Sequence, residues 1–212
     1  MPGHAGTGTA AAFDRPTQTE DRAVNVERVA ELVRELLIEI GEDPDREGLL
    51  KTPMRVARAY EFLSSGYRAD PKEVINHALF ASTTNNMIIA RDIEVYSLCE
   101  HHMLPFFGRC HIGYIAHDQV LGVSKLARLV DVHARRLQIQ ERLTQSIAQE
   151  ISEAVGAEGV GVVMECRHLC MMMRGVEKQS SVMQTSTVLG SFHEDPATRA
   201  EFLNIINRRV DW

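Results

Sequence analysis

Met87-Ile88-Ile89-Ala90, then Ile93-Glu94-Val95-Tyr96, then, after Pro105, Cys110-His111-Ile112-Gly113-Tyr114-Ile115 form the stretch that decides the fold. Such β-branched and aromatic runs predict two antiparallel strands. Upstream, Val26, Val29, Ala30, Leu32, Val33, Leu36, Leu37 and Ile40 recur at helical spacing until Gly41, an amphipathic helix. After the polar turn Glu42-Asp43-Pro44-Asp45, Thr52-Pro53 reads as an N-cap followed by proline at the first helical position. The second helix it opens runs through Arg55, Val56, Tyr60 and Leu63 to Ser65, and a short third one is expected after Asp70-Pro71, carrying Val74, Ile75 and Leu79. Downstream, Ser124 is expected to cap a helix bearing Leu126, Leu129 and Val130, and a longer helix spans Glu141 to Val155 with Leu143, Ile147, Ile151 and Val155 on one face. Strands return at Gly159-Val160-Gly161-Val162-Val163-Met164 and near Thr185 to Leu189, and Thr198 to Ile206 reads as a closing helix. Two strands, two helices and two strands behind a helical N-terminal third predict an α+β fold, an antiparallel sheet with two helices packed on one face. The expected division is a disordered tail over 1–22, a helical region over 23–82 and the sheet domain over 83–212.

With 212 residues, 44% of them hydrophobic and 25% charged, the chain has enough apolar surface to bury a core, which excludes disorder as its main state. A net charge of −6 argues against a protein that coats nucleic acid or an anionic membrane, without excluding a basic pocket. No run approaches the roughly 18 to 20 apolar residues of a membrane helix. Met1 to Arg22 lacks a basic patch followed by an apolar core, so it reads as a tail rather than a secretory signal, and a cytoplasmic location is expected. Four cysteines in such a chain point to buried thiols or metal ligands before disulfides. All four, with six of the nine histidines, fall between Cys99 and Cys170, which is where chemistry is to be sought.

Cys99-Glu100-His101-His102 sets a thiol and an imidazole three residues apart, a spacing at which one turn can aim both at one ion. Alone, such a C-x-x-H pair is more often a half-buried cysteine beside polar histidines. The second cluster, Cys166-Arg167-His168-Leu169-Cys170, ends an apolar strand, where alternation places Cys166, His168 and Cys170 on one face. Cys99, His102 and Cys170 together make three ligands. A structural zinc takes four, whereas three leave a position in which water loses a proton near neutral pH. His101 and His168 are then candidates for proton transfer.

Gly122-Val123-Ser124-Lys125-Leu126-Ala127-Arg128 brings a glycine turn, a helix N-terminus, a hydroxyl and two cations together, a setting that suits phosphate. The same residues also read as an N-cap and a solvated face. The segment lacks the G-x-x-x-x-G-K-[ST] pattern of a P-loop. Gln140-Glu141 opens the long helix, where the carboxylate either favours the helix dipole or accepts two hydrogen bonds from a guanine-like edge; sequence physics alone favours the dipole. Met171-Met172-Met173 reads as gap-filling, and Arg174 stands near Cys170.

Taken together, Ser97 to His102, Val120 to Arg128, Arg135 to Thr144 and His168 to Val176 resemble GTP cyclohydrolase I, and the likeness also takes in Gly48 to Ala57, covering the chain from Val26 to Ile206. The resemblance implies a zinc enzyme that hydrolyses the imidazole ring of GTP, releases formate and rearranges the ribose to 7,8-dihydroneopterin triphosphate, the entry to folate or pterin synthesis. It implies Cys99, His102 and Cys170 as zinc ligands, His101 as a proton donor and acceptor with His168 beside it, and Glu141 on the guanine edge, helped by Gln140. Ser124, Lys125, Arg128 and Arg174 match residues around the triphosphate, and Arg55 one from a neighbouring subunit. The implied fold is the tunnelling fold, with 83–212 as its catalytic domain, in a homodecamer of two pentamers with shared active sites. Neither nucleic acid nor membrane is implied as a partner.

Ser181-Val182-Met183-Gln184 departs from the family pattern by lacking a cation, Cys166 stands where a small residue is usual and reads as an inert thiol, and His133 replaces an aromatic and reads as packing. A non-catalytic zinc-stabilised GTP-binding module is the alternative, favoured by a fourth protein ligand such as Cys166. A zinc nucleobase deaminase lacks its H-x-E and P-C-x-x-C signature.

Overall fold

The hairpin expected from residues 87–115 is the centre of the fold in the computed structural model, which describes residues 23–75, 78–83 and 86–208; the tail expected over 1–22 lies outside the described residues. Strand β2 (Met87–Cys99) and strand β3 (Pro105–Ile115) pair antiparallel, Leu98 opposite Pro105 and Met87 opposite Ile115. The register shifts between Ala90 and Ile93, where Asp92 turns to a φ of 60° and its N–H donates to His111 Nδ1 at 3.1 Å. An inserted residue of this kind bends one strand and increases its twist.

Before the hairpin come helices α1 (Val26–Glu39), α2 (Thr52–Leu63) and α3 (Pro71–Ile75) and strand β1 (Leu79–Ala81). The Asn25 side chain caps α1 by accepting from Arg28 N. Helix α2 starts one residue earlier than expected: Lys51 is its N-cap, and Thr52 already lies inside the first turn. Leu79, expected on the third helix, pairs with Leu121 instead, in a two-stranded sheet of β1 with β4 (Gln119–Leu121).

Helices α4 (Val123–Ala134) and α5 (Gln140–Val155) follow, with the two-residue strand β5 (Leu137–Gln138) between them. Gly122, not Ser124, is the N-cap of α4; Ser124 is an exposed residue of the first turn whose hydroxyl makes no cap bond. Helix α5 stops at Gly156, which takes the left-handed φ of 57° that glycine adopts without strain. The chain then gives β6 (Gly159–His168), the single-turn helix α6 (Leu169–Met172), β7 (Met183–Gly190), the single-turn helix α7 (Ser191–Glu194) and α8 (Pro196–Asn207).

The main sheet has the order β5-β2-β3-β6-β7, antiparallel except for the short parallel pairing of β5 with β2. Leu126, Leu129 and Val130 of α4 and Leu143, Ile147 and Ile151 of α5 cover the face that carries Val95, Cys110, Ile112, Val162 and Met164, as the sequence led one to expect. The opposite face is covered too, at the end formed by Met87, Ile115 and Gly159. Phe192 and Phe202, edge to face at 5.5 Å, lie on the cross-strand pair Gly113 and Gly161. A Cβ at Gly161 would stand 2.6 Å from Phe192 and one at Gly113 2.7 Å from Phe202, so these glycines let the rings approach the backbone.

His133 is a packing residue, as expected, but an imperfectly partnered one. It is 6% exposed, its Nε2 has no hydrogen-bond partner, and Glu150 Oε2 stands 3.7 Å away. Burial, with the Arg136 guanidinium adding to it, pushes its pKa down to about 4. An unfolded imidazole titrates near 6.5, so between about pH 6.5 and 4 the unfolded chain binds a proton that the folded one refuses. The stability this group supports is therefore complete above pH 6.5 and lost as the pH falls through that window, by up to about 3 kcal/mol. Replacement of His133 by Phe is expected to flatten the pH dependence of the unfolding midpoint between pH 4 and 6.5; equal slopes in both proteins would place the acid lability elsewhere.

Candidate active site

The end of the sheet away from Phe202 gathers the chemistry. Between β2 and β3 the chain turns within Cys99 to Met103: Met103 N donates to Cys99 O at 2.8 Å, Cys99 N donates to Leu104 O at 2.8 Å, and Met103 takes a φ of 54°. This turn presents Cys99, 5% exposed, toward the core edge and leaves His101 and His102 exposed. Cys170 arrives from the other side, on α6 rather than on the strand. Strand β6 ends at His168, so alternation carries Cys166 and His168 but not Cys170.

Ligand atoms of Cys99, His102 and Cys170 lie within 4.8 Å of one another. A tetrahedral zinc with bonds of about 2.0–2.3 Å holds its ligands not much closer than this, and two thiols with one imidazole are a donor set that zinc accepts. Burial and the neighbouring Cys99 push the Cys170 thiol up, because a second negative sulfur beside the first is disfavoured. Arg174 pulls it partly back, and Arg174 Nη1 also stands 3.2 Å from His102 Nε2, so a positive charge already leans on two members of the group. Cys166 does not join. It is 1% exposed, packed in the core, and burial pushes its thiol up to about 12. All four cysteines are free thiols.

Around the three ligands stand the groups that opened α5. Helix α5 begins at this end of the sheet, beside Cys99, because β5 pairs Gln138 with Cys99. Glu141 is exposed in its first turn. Burial lowers the His168 pKa, partly opposed by the nearby Glu141 carboxylate. His101 Nδ1 lies 3.6 Å from Cys99 Sγ. Gln140, expected beside the guanine edge, is instead 1% exposed and turned into the fold, where its Oε1 meets His168 Nε2 at 2.8 Å. The sequence reading passed over Glu100 and Arg142, which form an ion pair between the cysteine turn and α5. It also passed over Phe106, whose ring stacks on His168 at 4.6 Å and 6°. The signal for the pair was present: an acidic residue in the middle of the ligand motif and a cation beside Glu141.

The remaining expected contacts are elsewhere in the chain. Ala134, the last residue of α4, accepts from Ser97 Oγ near the cysteine turn, so Ser124, in the first turn of this 12-residue helix, lies about 15 Å away along its axis. Ser124 and Lys125 sit at that far end, Arg128 midway, and Arg55 is exposed on α2, which packs on α1. Among the described residues no hydrogen bond or ion pair joins Lys125, Arg128 or Arg55 to Cys99, His102 or Cys170, whereas Arg174 reaches His102.

An α+β protein with three residues that could hold a metal ion, no fourth beside them among the described residues, and titratable groups nearby fits the class of metal-assisted hydrolases better than a zinc-stapled scaffold. The family model described as GTP cyclohydrolase I matches residues 29–207, and the chain belongs to that family. It is 59% identical over 175 residues to the GTP cyclohydrolase 1 of Leptospira biflexa, covering 82% of this chain and 96% of that protein. It is 58% identical over 181 residues to that of Campylobacter lari, covering 85% and 95%, and 58% identical over 178 residues to that of Teredinibacter turnerae, covering 84% and 97%.

Proposed function

We propose that this protein hydrolyses the imidazole ring of GTP, releases formate and rearranges the ribose to 7,8-dihydroneopterin triphosphate, the first step of folate or pterin biosynthesis. The observation that carries this is the convergence of Cys99, His102 and Cys170, with no fourth protein ligand among the described residues, beside His168 and Glu141. The three ligands would hold Zn2+, which when bound supplies hydroxide at neutral pH. Glu141 accepts hydrogen bonds from the guanine N–H edge and so fixes the imidazole ring over the metal ligands. His101 and His168 move the protons that ring opening requires. Arg174 and, from a neighbouring copy, Ser124, Lys125, Arg128 and Arg55 bind the triphosphate, which lets a chain of net charge −6 hold a polyanion.

The separation of about 15 Å along α4 supports an active site shared between subunits, in a decamer of two pentamers with the tunnelling fold. Exposed Leu32 and Leu36 on α1 and Ile40 at its C-cap support assembly through the region 23–82, with 83–212 as the catalytic domain. Free cysteines fit a cytoplasmic location, and among the described residues no helix is long and apolar enough to cross a membrane.

The test is a zinc-loaded preparation of the full chain with GTP. Formate and, after oxidation and dephosphorylation, a fluorescent pterin are expected. GTP binding without formate would instead identify a zinc-stabilised nucleotide-binding module.

A further inference from the structure

Gln140 has only one hydrogen-bonding arrangement open to it. Its Nε2 lies 3.1 Å from the Met164 carbonyl, 3.0 Å from the Met183 carbonyl and 3.1 Å from Thr185 Oγ1. Two of these three are carbonyl oxygens that only accept, so turning the amide over would set Oε1 against them. The hydroxyls agree. Thr144 Oγ1 donates to the Gln140 carbonyl at 2.7 Å, so at 2.6 Å from Thr185 Oγ1 it accepts, and Thr185 keeps a lone pair for Gln140 Nε2. Oε1 therefore faces His168 Nε2, 2.8 Å away, as an acceptor, and Nε2 must carry the hydrogen. Phe106, stacked on the imidazole, holds the plane of the ring. His168 Nδ1 makes no hydrogen bond among the described residues and is not a sealed, orphaned atom.

We propose that Gln140 is a positioning residue that fixes a hydrogen of His168 on Nε2, so that in the reaction proposed above Nδ1 is the nitrogen through which His168 exchanges a proton with the nucleotide. The part of this that concerns the reaction rests on the ring-opening reading; the tautomer does not. Nε2, held by Gln140 Oε1, takes no part in that exchange. Gln140 touches the nucleotide only through His168, since both ends of its amide are held by the protein.

The test is the 15N spectrum of sedimented, zinc-loaded protein labelled at histidine, with the His168 signals assigned by their loss in His168→Gln. A protonated Nε2 is expected; an unprotonated, pyridine-type Nε2 overturns the proposal. Gln140→Met should release the tautomer in the same spectrum and lower kcat by about 10²-fold while the KM for GTP stays within about twofold. A raised KM at unchanged kcat would make Gln140 a guanine contact and overturn it, as would unchanged kinetics. If Gln140→Met does not fold, the wild-type spectrum decides alone. A wild-type protein that releases no formate refutes the ring-opening reading while leaving the tautomer assignment standing, so the two failures are distinct.

Discussion

Cys170→Ser is expected to leave the protein folded, without bound zinc and without measurable formate release from GTP. The serine hydroxyl stays protonated at neutral pH, whereas a metal ligand must give up its proton. Losing even a supporting hydrogen bond behind a ligand costs about 10- to 100-fold in metal affinity or activity, and losing one of three ligands costs more. The fold should survive, because Cys170 lies on the single turn α6, partly exposed, outside the strands that form the core. Cys166→Ser gives the contrast. That thiol is 1% exposed among apolar side chains, so its replacement should lower stability while zinc stoichiometry stays unchanged. Metal analysis of both purified variants beside the formate assay separates the cases. A Cys170→Ser protein that kept its zinc and turned over GTP would remove Cys170 from the ligand set, and zinc lost from Cys166→Ser would restore the four-ligand scaffold as the better reading.

The contrast between these two cysteines also marks where the sequence was readable. Helices α4 and α5 and the 87–115 hairpin declared themselves because their apolar residues repeat with the period of the element, which is a local property. Cys166 and Cys170 could not be separated in this way. The alternation that links them assumes that the strand continues, and it stops at His168, two residues short of Cys170. Gly113 and Gly161 were legible as strand residues, but not that Phe192 and Phe202 would pack on them, because a missing side chain is informative only once its neighbour is known. For Ser124, Lys125 and Arg128 the residue types were legible and their location was not. Nothing in their spacing says that α4 ends beside the cysteine turn at Ala134, with Ser124 ten residues back along it. Gln140 shows the limit most plainly: beside Glu141 in sequence, on opposite sides of the helix wall in space, one is exposed and the other 1% exposed.

Glu141→Gln is expected to lower kcat/KM for GTP by about 10- to 10²-fold, since a hydrogen bond to a charged group contributes about 1.5–3 kcal/mol and the amide keeps only one acceptor oxygen for two donors. The competing account of Glu141 predicts something different in size and kind. A carboxylate in the first turn of α5 interacts with the helix dipole for about 0.3–1 kcal/mol, which would appear as a small loss of stability with no preference among nucleotides. Inosine triphosphate, which lacks the 2-amino donor, decides between them. Against the wild type it should be a much poorer substrate than GTP, because it leaves one carboxylate oxygen unpaired. Against Glu141→Gln the two nucleotides should converge, since the group that told them apart has gone. Such loss of discrimination is a coupling between one side chain and one substrate group, which a change in helix stability cannot produce. Equal discrimination in the two proteins, with a slightly lower unfolding midpoint for the variant, would return Glu141 to the helix dipole and require another residue for the guanine edge.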